Sequence, residues 1–557
     1  MSMTTSFERI QILTDLFKQH HVKHIVFSPG SRNAPLVIGF RNDNYFETKT
    51  VIDERSAAFI ALGMAQQLQE PVAICSTSGS ATLNYAPAIC EAYYQKIPLL
   101  ILTADRPPEW IDQGEGQSIN QHAIYHNYIE GSFNFPVDEN PDTSWQAGRI
   151  TNEAINLSKK SSRPVHINLP FREPLYQTES STSKRKKTEL CKIERIIGED
   201  EIIKIANKWN QSQKKLILCG LMPQNDSLNE ALSSFSKDPS TIILTETTAN
   251  LQADNFIPCI DRTLERIIGE PQMIPEIVVT IGGPIISKKI KSLFRKYNPS
   301  EHWHIEPTEA TMDVFTSLTK IIPVDPAYFF NTLKDKTQII QSSFQKIWMD
   351  QYHQSKKNHD DFIKSIEWSD LKAHQLIHEH IPEKANFQMG NSTAVRYVQL
   401  FEYKKDIQFN GNRGVSGIDG SSSTAVGAAS ISKTETILIT GDLSFIYDQN
   451  ALWSSLLPKN LKIIVLNNQG GGIFNIISGP RSTPYKKENF ETPHELSLEK
   501  IAGTFKINYQ KATNEQELKI SLNKIFKSKE LEILECFTGK VKNEDILNEY
   551  FREIKKN

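Results

Sequence analysis

Thr436-Ile437-Leu438-Ile439-Thr440-Gly441-Asp442-Leu443-Ser444 runs from an apolar strand pattern into a polar turn, and Lys462-Ile463-Ile464-Val465-Leu466-Asn467-Asn468-Gln469-Gly470 repeats the figure. Short apolar runs of this kind, rich in Ile and Leu and closed by turn residues, read as strands buried on both faces. Such strands belong to parallel sheets, whose ligands collect at the carboxyl ends of the strands. Both turns fall there, with a separation of 26 residues from Asp442 to Asn468. The Asp442 carboxylate, the Asn468 side-chain oxygen and a backbone carbonyl near Gly470 are hard oxygen ligands. That set suits magnesium, with manganese as the alternative, the metal keeping some water and sharing phosphate oxygens. The glycines let the backbone approach phosphates closely. A Gly-Asp after a strand is commonly only a turn; the answering Asn-Asn gives it a functional reading.

The same alternation extends outward. Upstream strands are read at Lys23–Phe27, Lys49–Ile52, Pro71–Cys75, Pro98–Leu102 and Arg163–Phe171, with Glu54–Gln69 as a helix carrying Ala57, Ala61, Met64 and Leu68 on one face. A second block holds Lys215–Cys219, Thr241–Leu244, Glu276–Ile281 and His302–Ile305, and a third begins near Ala385 and includes Ile407–Phe409. A chain of 557 residues exceeds one core, so the pattern predicts an α/β protein of three domains, each a parallel sheet flanked by helices. The expected limits are 1–180, 196–340 and 365–557. Thr178 to Arg195, with Lys184-Arg185-Lys186-Lys187, reads as a solvated linker. Gln338 to His380 reads as a polar helical arm, and its His374, His378 and His380 as a solvated helix face rather than a metal site.

Composition narrows the partners. A formal net charge of −2 gives no reason to expect nucleic acid or an acidic membrane surface. No apolar run reaches the roughly 18 residues of a membrane span, and Met1–Phe17 does not read as a signal peptide. The six cysteines form no CxxC pair, so a reducing cytoplasm is expected. Neither a Gly-Lys-Ser/Thr phosphate loop nor a GxGxxG is present.

The Gly441-Asp442 to Asn468 pairing is similar to the diphosphate motif of thiamine-diphosphate enzymes, with Leu443 where that class carries a glycine. Further stretches narrow the resemblance: Ser28-Pro-Gly-Ser-Arg-Asn-Ala-Pro-Leu36, Asp53-Glu-Arg-Ser-Ala-Ala58, Thr77-Ser-Gly-Ser-Ala-Thr82, Thr103-Ala-Asp-Arg-Pro-Pro108, Gln113-Gly-Glu-Gly-Gln117 and Asn412-Arg-Gly-Val-Ser-Gly-Ile-Asp-Gly420. In order and together they resemble the menaquinone-pathway 2-succinyl-5-enolpyruvyl-6-hydroxy-3-cyclohexene-1-carboxylate synthases. The resemblance implies pyrimidine-binding, central and diphosphate-binding domains, thiamine diphosphate with a divalent metal, and a homodimer or homotetramer with its site shared between chains. It implies that Glu54 hydrogen-bonds the cofactor's aminopyrimidine ring and sets up loss of the thiazolium proton. In isolation the same residue reads as a first-turn acid stabilised by the helix dipole, after an Asp53 N-cap.

The remaining roles are likewise implied. Asp442, Leu443, Ser444, Asn468 and Gly470 would hold the diphosphate, with Asp442, Asn468 and Gly470 on the metal, and Ile418 would be the apolar wedge under the cofactor. Ser31, Arg32, Arg106, Gln117, Lys288 and Lys289 would face isochorismate. Ser392 and Arg396 would hold the distal carboxylate of 2-oxoglutarate, Arg413 would be a further substrate-binding cation, and Phe474 would line the pocket. Both substrates are dianions, which agrees with this many cations, since guanidinium pairs carboxylates in bidentate fashion. The rival readings are a pyruvate-using enzyme of the same cofactor class, such as an acetohydroxyacid synthase, and an inactive paralogue acting as a scaffold.

Overall fold

Buried apolar runs become three six-stranded sheets, every neighbouring pair of strands parallel. The computed structural model describes residues 3–180, 184–403, 406–454, 457–476, 479, 482–539 and 541–556. The first sheet runs Glu47–Thr50, His24–Phe27, Val72–Ser76, Leu99–Asp105, Val165–Pro170, Gly131–Asn134 from edge to edge. The third runs Ile407–Gly411, Ala385–Met389, Thr436–Gly441, Leu461–Asn467, Glu532–Phe537, Asn508–Ala512, the same spatial order relative to the chain. The middle sheet is wired differently: Phe256–Ile257, Thr241–Thr245, Lys215–Cys219, Ile277–Ile281, Glu301–Ile305, Lys320–Ile322. The outer two are therefore one design used twice, and the middle one is the doubly wound order with its reversal beside Lys215–Cys219. The expected α/β class holds.

Two details of the connections differ from expectation. Thr178–Ser180 is not linker: it pairs antiparallel with Met3–Thr5 and ties the start of the chain to the end of the first block. The stretch after it is irregular but anchored. Gln19 donates to the Arg185 carbonyl (2.8 Å) and accepts from the Lys187 N–H (3.1 Å), while Asn152 accepts from the Thr188 N–H (2.8 Å). The arm consists of helices Phe344–Ser365 and Asp370–His380. Its histidines are not a solvated face. His374 is buried and stacked on Tyr397, and burial pushes its pKa down to about 3. His378 stacks on Phe401 and contacts the Glu402 carbonyl (2.6 Å). Helix Asp370–His380 packs on the third block and buries one stripe there, and His374 and His378 supply part of that stripe. No helix among the described residues is long and apolar enough to cross a membrane.

The outer blocks meet along helices Glu54–Leu68 and Ser421–Ile431. Both are built from small residues: Ala57, Ala58, Ala61 and Gly63 on one, Ala425, Gly427 and Ala428 on the other. A Cβ on Gly63 would overlap the Thr424 carbonyl oxygen, and one on Gly427 the Ile60 carbonyl oxygen. Backbone thus lies on backbone, and a single buried cluster spans both blocks. At its margin the Glu91 carboxylate accepts from the N–H groups of Gly414 (2.6 Å) and Val415 (2.8 Å), and Asn450 donates to Asp53 (2.8 Å).

Candidate active site

The third sheet ends its Thr436–Gly441 and Leu461–Asn467 strands side by side, which brings Asp442 and Asn468 to one rim. Asp442 is buried and opens a short helix, Asp442–Tyr447. Its carboxylate accepts from the N–H groups of Leu443 (2.8 Å) and Gly470 (3.0 Å), and His494 Nε2 lies 3.2 Å away. That contact raises the His494 pKa, the hydrogen bond being the largest cause. Asn468 donates to Asp370 (3.0 Å), whose pKa burial pushes up to about 6. The Asn468 side-chain oxygen is buried and has no hydrogen-bond partner. A buried acceptor left without a donor beside a carboxylate is what a cation site requires, so the residues present fit a metal held by hard oxygens. Leu443 sits at the position where the cofactor class carries glycine, yet its backbone is not left-handed, and the side chain only adds wall to the cavity.

That cavity, about 590 Å³, is lined by the rim together with Ser392, Arg396, Arg413, Ile418, Ser444, Gly470 and Phe474. Ser444 donates to the Ile418 carbonyl (2.9 Å) and fixes the loop that presents the Ile418 side chain, which is 38 % exposed. Ile418 is thus an apolar side chain on the wall of a polar cavity and not part of a core. Arg413 is buried and donates to Asn391 (2.7 Å); Arg396 donates to the Ser392 carbonyl. Burial lowers the pKa of both guanidinium groups, and both stay charged. Lys288 also lines the cavity, from the first turn of helix Lys288–Lys296. Lys289 does not. Its ammonium pairs with Glu265 and lies 3.4 Å from the Phe551 ring centroid, because the next residue on a helix points about 100° away. Asp442 is the one acid among the described lining residues.

The remaining expected residues lie on the first block. Glu54 opens its helix after Asp53, which accepts from the Arg55 (2.9 Å) and Ser56 (3.3 Å) N–H groups. It is half-buried, and desolvation raises its pKa from the ordinary carboxyl value. Arg32 donates to the Phe171 carbonyl (3.1 Å) and to Glu173 (3.2 Å); Arg106 donates to the Gly116 carbonyl (2.9 Å) and lies 3.3 Å from Glu115. These two arginines line a separate cleft of about 390 Å³. Ser31 is exposed beside Arg32. Gln117 has a left-handed backbone (φ 56°) and packs against Gly79, where a Cβ would sit 3.0 Å from its Cα. Cleft and cavity share no lining residue, and Glu54, Ser31 and Gln117 line neither.

Sequence reading missed several residues here. Asp370 and His494 steady Asn468 and Asp442 from distant segments, and no local pattern announces them. Lys291 lines the cavity as well, and its spacing of three from Lys288 was a readable signal.

Similarity to known proteins covers both halves of this geometry. Residues 9–124 match the family described as thiamine pyrophosphate enzyme, N-terminal TPP binding domain, and residues 389–536 match its C-terminal TPP binding domain. A 2-succinyl-5-enolpyruvyl-6-hydroxy-3-cyclohexene-1-carboxylate synthase of Flavobacterium johnsoniae is 43% identical over 98% of each chain. One of Flavobacterium psychrophilum is 41% identical, again over 98% of each. The crystal structure of benzoylformate decarboxylase from Polynucleobacter necessarius superposes with a TM-score of 0.74 at 15% identity, covering 96% of this chain and 99% of that one, a likeness of fold.

Proposed function

The chain belongs to the 2-succinyl-5-enolpyruvyl-6-hydroxy-3-cyclohexene-1-carboxylate synthases, and from that premise we infer that it decarboxylates 2-oxoglutarate and adds the succinyl unit to isochorismate. This is a carbon–carbon bond-forming transfer of menaquinone biosynthesis, dependent on thiamine diphosphate. The observation that carries the site assignment is the cavity itself: an unsatisfied buried Asn468 oxygen beside Asp442, under a wall of cations.

Bound thiamine diphosphate supplies the heterocycle that stabilises a carbanion. The chain's residues do the rest. Asp442, Asn468 and the backbone at Gly470 would hold magnesium, with manganese as the alternative, and Leu443 and Ser444 the adjoining diphosphate. Ile418 would bend the cofactor, and Phe474 would close the apolar side of the pocket. Glu54, whose pKa desolvation raises, would hydrogen-bond the cofactor's aminopyrimidine ring and hold or move a proton at its own carboxyl. Arg396, Ser392 and Arg413 would bind the distal carboxylate of the donor. Ser31, Arg32, Arg106, Gln117 and Lys288 would bind the acceptor. Lys289 is the weakest of the expected contacts, since Glu265 and Phe551 occupy its ammonium.

That the cleft and the cavity share no lining residue agrees with a homodimer or homotetramer, in which the first block of one copy would cover the cavity of another. Six free cysteines fit a reducing cytoplasm. The test is carbon dioxide release from 2-oxoglutarate, with and without isochorismate, magnesium and thiamine diphosphate. Preference for pyruvate, a monoanion with no second carboxylate for the arginines, would overturn the substrate assignment. Mixing inactive Glu54→Gln and Asp442→Ala proteins tests the sharing: hybrid assemblies regain activity if the halves come from different chains, and stay silent otherwise.

A further inference from the structure

We propose that Lys291 is a substrate-binding residue, its ammonium joining Arg396 and Arg413 on the distal carboxylate of the 2-oxo dicarboxylate donor. The inference rests on the reaction just assigned and adds a residue to it.

The helix Lys288–Lys296 enters the cavity wall by its first turn. Ser287 caps it, accepting from the Ile290 N–H (3.1 Å), and the turn before it is clamped by the buried Glu246 carboxylate, which accepts from the N–H groups of Ile286 (2.7 Å) and Ser287 (2.7 Å). A helix start held this way presents a fixed face. Positions three apart share that face, so Lys288 and Lys291 both line the cavity while Lys289 turns out to Glu265.

Three lysines in the first turn oppose the helix dipole, whose positive end lies there, and no acid balances them in that turn. Lys291 has no ion-pair partner among the described residues, and its electrostatic neighbours include Arg413, Arg295 and Arg396, with Glu246 alone opposing them. Half-burial and these cations lower its pKa, burial being the larger cause. Local preference is violated at one spot, and the surrounding arginines make it worse. Glu246 is the single anion set against these three arginines, so an anion entering the cavity would add to the neutralisation of Lys291. The donor's distal carboxylate has the charge and the shape to pair with two guanidinium groups and an ammonium at once.

The experiment uses the holoenzyme with thiamine diphosphate and magnesium, and compares Lys291→Met, Lys291→Arg and Lys296→Met. Methionine keeps the stem that packs on the helix, and Lys296 is exposed in the last turn of the same helix, outside the cavity lining. The KM for 2-oxoglutarate is expected to rise about tenfold in Lys291→Met, with kcat held within about twofold. The KM for isochorismate and the half-saturating thiamine diphosphate concentration stay at wild-type values. Lys291→Arg restores most of the loss, and Lys296→Met behaves as wild type. An unchanged 2-oxoglutarate KM in Lys291→Met, or a shift that falls on isochorismate or on the cofactor instead, overturns the proposal while leaving the assigned reaction standing. An equal rise in Lys296→Met overturns it too, since general loss of positive charge would then account for the effect. A wild-type enzyme inert toward 2-oxoglutarate overturns both the proposal and the reaction.

Discussion

The seam between helices Glu54–Leu68 and Ser421–Ile431 and the cavity at the Asp442 rim are both buried junctions, but they are built on opposite terms. In the seam, alanine and glycine bring backbone against backbone, and added atoms have nowhere to go. In the cavity, side chains are held apart by hydrogen bonds to backbone and amide groups, and charges are left for something else to neutralise. A close-packed junction makes the fold; an unsatisfied one makes a site. Substitutions in the first should therefore cost stability, and in the second function.

The sharpest test lies where the two regions touch. Glu54 begins the seam helix, yet its proposed work is chemical. Glu54→Gln keeps shape and burial and removes the titrating proton, so turnover should fall by about 10²–10⁴-fold while thermal stability holds. A large loss of stability with modest loss of turnover would make Glu54 a seam residue. Gly63→Val tests the other side of the comparison. The new side chain meets the Thr424 carbonyl, which is backbone and cannot swing away, so destabilisation of about 3 kcal/mol is expected, measured by chemical denaturation. A neutral outcome would mean that the helices are free to separate. Arg396→Ala should be nearly silent in that assay and raise the KM for 2-oxoglutarate by about tenfold or more, as the loss of a charged hydrogen-bonding partner does. An effect confined to isochorismate would reverse the assignment of the two substrates.

The same contrast explains what was legible in the sequence. Runs such as Thr436–Thr440 are apolar without interruption at their centre, and their sheets could be read from them. Ala385–Met389 could not: Asn386 and Gln388 break its pattern, yet it is an interior strand, Asn386 accepting from Asn410 of the next strand and Gln388 donating to Gln66 of the seam helix. Motif residues of the site could be read one by one, but not their grouping, since Lys288 and Lys289 are neighbours in sequence and face different partners in space. The steadying roles of Asp370 and His494 arise from contacts over 98 and 52 residues and leave no local trace.

The smallest expected effect concerns Asp448, which brings the charge logic of the cavity into the seam. It is fully buried, accepts from the Ser423 N–H (2.7 Å) and hydroxyl (2.7 Å), and lies 3.9 Å from Arg55. Burial outweighs these partners and pushes its pKa up to about 7. In the unfolded chain an aspartate gives up its proton near pH 4, so between about pH 4 and pH 7 the folded state binds more protons than the unfolded one. Stability tied to this group is therefore complete below about pH 4 and is lost progressively as pH rises to about 7. Asparagine at this position never ionises. The midpoint of thermal unfolding for Asp448→Asn, relative to wild type, should consequently climb between pH 5 and pH 8 by about 2 °C, whatever the offset at pH 5. A difference that stays flat with pH would mean that Arg55 and Ser423 already hold the carboxylate ionised, and the seam would then contain a compensated charge of the kind the cavity withholds.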